Sequence, residues 1–138
     1  RGHVVRAILD GISYGMRVNL DSIRAAGLEI QRLHAIGGGA KSDEWLQTKA
    51  DILGTELHAL TVPEAGCLGA ALLAGTAIGT FPSLKEATDQ LVSVRQVYTP
   101  NAEKQAAYNR AFEVYKKIYP ALADVNHAIA EWAREVDG

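Results

Sequence analysis

The sequence predicts an α/β fold in which a short parallel sheet is packed with several helices. Three observations predict it. First, Ile36-Gly37-Gly38-Gly39-Ala40-Lys41-Ser42 joins a short apolar segment to one with helical periodicity. Second, another short β-type segment, Thr55 to Val62, follows that helix almost at once. Strand, helix and strand over so few residues make a βαβ unit, with parallel strands and a right-handed crossover. Third, most of the remaining chain carries amphipathic or apolar helical patterns.

The chain has 138 residues, 48% of them hydrophobic and 22% charged, enough for one domain with a real core. A net charge of −2 gives no electrostatic basis for binding nucleic acid or an anionic membrane. A single cysteine, Cys67, rules out an internal disulfide, and nothing resembles a secretory signal, so a cytoplasmic location is expected. The longest apolar run, Cys67 to Ile78, is too short and too glycine-rich to span a bilayer; it suits a buried core helix. The chain begins at Arg1, without an initiator methionine, and its first residues already fit a helix. A fragment of a longer protein would look like this.

The first helix is expected from about His3 to Ala26, with an apolar stripe of Val5, Ile8, Ile12, Met16 and Ile23 and a stop at Gly27. Arg6, Asp10, Ser13, Arg17, Asp21 and Arg24 fall between the apolar positions and read as a solvated face. Leu28 to Ile36 alternates only in part, as a strand with helices on both faces does. His34 inside it reads as a structural residue, since no second ligand lies at metal spacing. Trp45, Leu46, Lys49, Ile52 and Leu53 then follow a helical pattern that ends at Gly54, where Lys49 would have to snorkel or sit at the border of that face. The strand after it ends at Pro63.

Glu64 to Gly79 is the most apolar stretch and is rich in small residues. Glycine inside a helix costs about 1 kcal/mol against alanine, so Gly69 and Gly75 predict close approach of another backbone. Cys67 reads as a small buried hydrophobe. Ser83-Leu84-Lys85-Glu86 is a capping box opening a short helix to about Leu91, and Val92 to Pro100 reads as an extended connector. Asn101 caps a helix with the stripe Ala107, Tyr108, Ala111, Phe112, Tyr115 and Ile118, which reads as core packing. Pro120 is expected to interrupt or kink it, before a second stripe of Leu122, Val125, Ile129, Trp132 and Val136.

The glycine turn carries the functional signal. Three glycines have access to positive φ and no Cβ, so another group can approach the main chain closely. Ser42 is a good N-cap, and Asp43 and Glu44 place negative charge in the first helical turn. Strand, open glycine turn and helix N-terminus together present backbone N–H groups to a nucleotide or other anion. The residues alone fit a plain strand-to-helix turn equally well.

Three patches stand in fixed order: IGGGAKSDEWLQTKADILG (Ile36 to Gly54), EAGCLGAALLAGTAIG (Glu64 to Gly79), and YTPN from Tyr98 followed by a tyrosine-rich helix. Together they resemble the C-terminal part of an FGGY-family carbohydrate kinase, most like the xylulose kinase branch, over nearly the whole chain. The resemblance implies a partial ribonuclease H-like domain of the actin/hexokinase superfamily. Residues 1–138 would be the C-terminal part of the nucleotide-side domain, with the N-terminal sugar-binding domain absent. It implies ATP and Mg²⁺ as cofactors in the full-length enzyme and transfer of the γ-phosphoryl group to a sugar hydroxyl, D-xylulose or a related pentulose. Gly37, Gly38, Gly39 and Ala40 would pack against adenosine and the α-phosphate region, and Ser42 would lie near the adenine. Asp51 is expected to be structural, and no catalytic residue or metal ligand is assigned to this chain.

The Asp-x-Gly phosphate loop, the sugar contacts and the catalytic aspartate would all lie upstream, leaving this piece inactive alone. Kinases for glycerol, ribulose or gluconate are alternatives within the family, and a non-catalytic interaction module is the alternative outside it. Exposed strand edge and apolar surface would make the fragment self-associate.

Overall fold

The structure, a computed structural model, describes residues 1–137. It begins with α1 (Gly2–Ala25), followed by β1 (Arg32–Ala35), a single 3-10 turn (Gly38–Ala40), α2 (Asp43–Leu53) and β2 (Glu56–Leu60). Then come α3 (Ala65–Ala77), α4 (Leu84–Leu91), β3 (Val94–Tyr98), α5 (Ala102–Tyr115) and α6 (Ile118–Asp137). The α/β class holds, and β1 and β2 are parallel with Leu33 opposite Leu57 and Ala35 opposite Ala59.

The sheet is nevertheless mixed, not purely parallel. β3 lies antiparallel on the far side of β2, giving the order β1-β2-β3. It occupies the stretch expected to be a connector. Its residues Val94, Arg95, Gln96 and Val97 are all exposed, and only Tyr98 is buried. Backbone pairing with one aromatic anchor holds it, so no apolar alternation marked it in the sequence. β1 is also shorter than the apolar segment suggested, while β2 occupies the core of its segment.

α2 organises the core. Leu46, Ala50, Leu57, Ala59 and Tyr98 form one buried cluster between α2 and the sheet, closed by Leu33 and Ala35. On its other side, Ile52 packs with Tyr14 of α1 and Phe112 of α5, flanked by Tyr108 and Tyr115. The aromatic stripe of α5 is thus core, as its spacing predicted. Asp51, 1% exposed, ties α2 to α5: its Oδ1 accepts from the backbone N–H of Asn101 (2.8 Å) and from Gln47 Nε2 (2.8 Å). These two bonds give the Asp51 side chain a structural role in joining α2 to α5. Gly54 closes α2 in a left-handed conformation, φ 60°.

α1 turns opposite to expectation. Its stripe of Val5, Ile8, Ile12, Met16 and Ile23 is exposed, whereas Ser13, Tyr14 and Leu20 are buried. The polar side does the packing: Ser13 donates to the Leu9 carbonyl (2.8 Å) and accepts from Trp45 Nε1 (3.4 Å), and Arg17 Nη1 donates to Asn109 Oδ1 (2.7 Å). Arg17 also lies over the Phe112 ring, 4.2 Å from its centroid. Asp10 and Asp21 pair with Arg6 and Arg24 on the same helix.

Two further expectations for α3 are overturned. Cys67 is exposed, not buried. A Cβ at Gly75 would stand 2.7 Å from the Phe81 ring, so a side chain, not a backbone, makes the close approach there; at Gly69 nothing lies within 4 Å. Only Leu72 of this helix is buried, and its main neighbour is α4. The interruption expected near Pro120 is present, a few residues earlier in the chain. The chain turns at Lys116 and Lys117, and Pro120 sits in the first turn of α6, where a missing N–H costs nothing.

Candidate functional site

The glycine turn stands between the end of β1 and the start of α2, braced from two sides. At its entrance Gly37 adopts φ 74°, a left-handed conformation that a Cβ disfavours, and its N–H donates to the Pro63 carbonyl (2.7 Å). At its exit Lys41 Nζ pairs with Glu64 Oε1 (3.0 Å), and this hydrogen-bonded ammonium holds the Glu64 carboxyl below its usual pKa. Both braces end on the loop between β2 and α3. Sequence spacing gave no sign of them, because they span more than twenty residues.

Between the braces the turn is tighter than the open loop expected from three glycines. Gly38, Gly39 and Ala40 wind into one 3-10 turn, closed by Ala40 N–H to the Gly37 carbonyl (3.0 Å) and Lys41 N–H to the Gly38 carbonyl (3.2 Å). Only Gly37 of the four has positive φ. The N–H groups of Gly38 and Gly39 donate to no other backbone group among the described residues. Gly38 faces open space, with nothing within 4 Å of an added Cβ. Gly39 is glycine for an internal reason: its Cβ would meet Trp45 at 3.2 Å and Lys49 Nζ at 3.1 Å. Ala40 is buried and anchors the turn.

Ser42 caps α2 as its position predicts. Its Oγ accepts from the Trp45 backbone N–H (3.3 Å) and donates to Glu44 Oε2 (3.2 Å), so this hydroxyl serves the helix. Asp43, beside it, accepts at Oδ1 from Tyr98 OH (2.6 Å) and Arg95 Nη2 (2.9 Å). The Tyr98 hydroxyl, then the Arg95 guanidinium, hold the Asp43 carboxyl below its usual pKa. The third strand is thereby pinned to the start of α2.

The sequence reading missed what lies beneath the turn. Lys49 does not snorkel to solvent. It is 8% exposed, its Nζ lies 3.6 Å from the centroid of the Trp45 ring, and its one hydrogen bond is a long contact of 3.5 Å to the Gly39 carbonyl. Burial pushes its pKa down. The available signal was the i,i+4 spacing from Trp45 on a helix face otherwise made of core residues.

The crest of the turn is open. It offers a Cα surface without side chains at Gly38, two uncommitted N–H donors and an adjacent helix N-terminus. It does not offer a cage for a divalent cation, for no three His, Cys, Asp or Glu residues cluster among the described residues.

Known proteins share this sequence pattern and fold. The sequence profile of the C-terminal domain of the FGGY family of carbohydrate kinases matches residues 1–78. The xylulose kinase of Bacillus subtilis (strain 168) is 35% identical over 134 residues, which cover 97% of this chain and 27% of that protein. The chain therefore spans about a quarter of the length of this relative. Among solved structures, a ligand-bound xylulose kinase from Lactobacillus acidophilus superposes with a TM-score of 0.76 at 29% identity, covering 87% of this chain and 24% of that one. A Plasmodium falciparum glycerol kinase with ADP superposes with a TM-score of 0.65 at 29% identity, covering 82% and 24%. A gluconate kinase from L. acidophilus (TM-score 0.75) and an autoinducer-2 kinase from Salmonella typhimurium (34% identical) are also similar, so the likeness extends across several substrates. Profile, relatives and superposed structures coincide on one assignment, and with it the partial actin/hexokinase-like fold is explained: this chain belongs to the FGGY family of carbohydrate kinases.

Proposed function

We propose that this chain is the nucleotide-side part of an ATP-dependent kinase that phosphorylates a sugar hydroxyl, D-xylulose or a related pentulose. In this reading residues 1–138 are the C-terminal part of its C-terminal domain. A sugar-binding domain and the residue that accepts the hydroxyl proton lie elsewhere in the polypeptide. The protein acts in the cytoplasm. The observation that carries the reading is the braced turn at Gly37 to Ala40, with a bare Cα surface and uncommitted N–H groups at its crest.

Bound ATP supplies the phosphoryl group, with Mg²⁺ compensating its charge. The task of this chain is to orient. Gly38 lets the adenosine lie against the main chain, Gly37 and Ala40 fix the height of the turn, and Ser42 sets the N-terminus of α2 beside it. Such positioning is most of what a phosphoryl-transfer enzyme contributes. Mg²⁺ would arrive on the phosphates, since the described residues hold no cluster of three metal-ligating side chains.

Gly38→Val in the complete polypeptide tests the site. The expected result is a KM for ATP raised by on the order of 100-fold, as misplacement by about 1 Å can cost, with the KM for sugar little changed. Equal effects on both substrates, or none, would overturn the assignment. The pentulose rests on the xylulose kinase relatives. Phosphorylation rates of the complete protein with xylulose, ribulose, gluconate and glycerol decide it, and a preference for either of the last two would replace it.

A further inference from the structure

Lys49 is a buried cation with no carboxylate partner among the described residues. Its ammonium sits directly under the crest of the glycine turn, against the Gly39 carbonyl and the face of Trp45. It also lines a cavity of about 270 Å³ together with Met16, Leu33, His34, Ile36 and Gly39. Apart from the ammonium and the His34 imidazole, the side chains that line it are apolar. A lone ammonium in such surroundings is costly unless it meets an anion. Trp45 and one long hydrogen bond offset only part of that cost.

We propose that Lys49 is a positioning charge for the nucleotide, its ammonium being the buried complement of the phosphate group received by the glycine turn. The inference rests on the reading of Gly37 to Ala40 as the ATP site and adds to it the residue that distinguishes a nucleotide from a nucleoside. The geometry favours this role over a structural one. An ammonium held for packing alone would be better replaced by an apolar side chain, and the adjoining stripe of α1 shows that apolar residues are abundant here. Its place beneath the Gly39 peptide lets its field act through the turn without touching the ligand's base or ribose. Low exposure keeps that field from being screened. The Gly38 and Gly39 N–H groups, which have no backbone acceptor among the described residues, are donors available to the same anion.

The test uses the complete polypeptide and two probes, ADP and adenosine, titrated calorimetrically into the wild type, Lys49→Met, Lys49→Gln and Gly38→Val. Thermal melts confirm that each variant is folded. The expected result is that both Lys49 variants weaken ADP by on the order of tenfold, as loss of one charge-assisted contact does, while adenosine changes less than twofold. Added salt should lower the ADP affinity of the wild type more steeply than that of Lys49→Met. Equal losses for ADP and adenosine would reduce Lys49 to a packing residue and overturn the proposal. A lower melting temperature with an unchanged ratio of the two affinities would show that a protein carboxylate from another segment is the counter-ion, and would overturn it too. The two readings fail separately. If Gly38→Val abolishes ADP binding and both Lys49 variants spare it, only the role of Lys49 falls. If Gly38→Val spares both ligands, the nucleotide site itself is elsewhere. Should Lys49→Met fail to fold, Lys49→Gln and the salt dependence of the wild type still decide.

Discussion

α2 and α3 invert the usual relation between hydrophobicity and burial. α2 contains Asp43, Glu44, Gln47, Thr48, Lys49 and Asp51 among its eleven residues, yet seven of the eleven are buried. α3 consists almost wholly of Ala, Gly, Leu and Cys, yet only Leu72 is buried. The difference lies in neighbours, not composition. α2 is enclosed by the sheet, α1 and α5, and each buried polar group on it has been given a partner or a ring to lie on. α3 has a surface suited to enclosure and lies mainly against α4. Burial follows from what surrounds a helix, while apolar composition states what the helix is built to be surrounded by.

Truncating one leucine on each helix breaks or sharpens this contrast most strongly. Leu46→Ala, at a fully buried site, should cost about 2–5 kcal/mol, whereas Leu73→Ala, 60% exposed, should stay within about 0.5 kcal/mol in this chain. Urea unfolding measures both. Repeated in the complete polypeptide, a Leu73→Ala cost above about 2 kcal/mol would show α3 enclosed there.

The glycines of α3 give a smaller and more local contrast. Gly69→Ala meets nothing within 4 Å and should stabilise the chain by up to about 1 kcal/mol through helix propensity. Gly75→Ala drives a methyl into the Phe81 ring, and the expected sign is reversed, a loss of about 1 kcal/mol. Thermal melting distinguishes them. A stabilising Gly75→Ala would mean that the Phe81 ring swings away freely.

The smallest effect concerns the N-terminus of α2. The folded-state pKa of Asp43 is depressed below its ordinary 3.8 by Tyr98 and Arg95. Its contribution to stability is therefore present above the unfolded pKa and is lost as pH falls through the lower folded value. Asp43→Asn should lower stability slightly on the neutral plateau and flatten the acid limb below about pH 4, so that the two profiles converge in acid. An unaltered acid limb would show that the bonds to Tyr98 and Arg95 are not maintained in solution.

Much of this architecture was legible in the residues, and the failures have definite causes. Ser42, Gly54, Ser83 and Asn101 each bound a helix where their chemistry predicts, because caps act within one turn. The βαβ unit was legible because its two strands carry inward-facing Leu33, Ala35, Leu57 and Ala59. β3 was not, since four of its five residues face outward and its stability comes from pairing with β2. The orientation of α1 was misread for the converse reason. An apolar stripe says which side seeks cover, but Ser13 and Arg17 face inward through specific bonds to Trp45 and Asn109 that periodicity cannot encode. At the candidate site, the glycine motif and its capping serine were visible as a local pattern. The braces from Pro63 and Glu64 and the cation beneath the turn depend on chain segments brought together by folding.

Trp45 gives the glycine turn an optical handle. The chain has two tryptophans, and the other, Trp132, lies 64% exposed on α6. The indole of Trp45 touches the Lys49 ammonium on one face, donates from its Nε1 to Ser13 and closes against the Cα of Gly39. Its emission is therefore set by a nearby fixed charge and by the height of the turn above it. Replacing Trp132 with phenylalanine leaves one tryptophan, selectively excited at the red edge of the absorption band, within a few ångströms of Gly39. Any occupant that presses on the turn or shifts the ammonium then changes the brightness or colour of the protein itself, with no label attached.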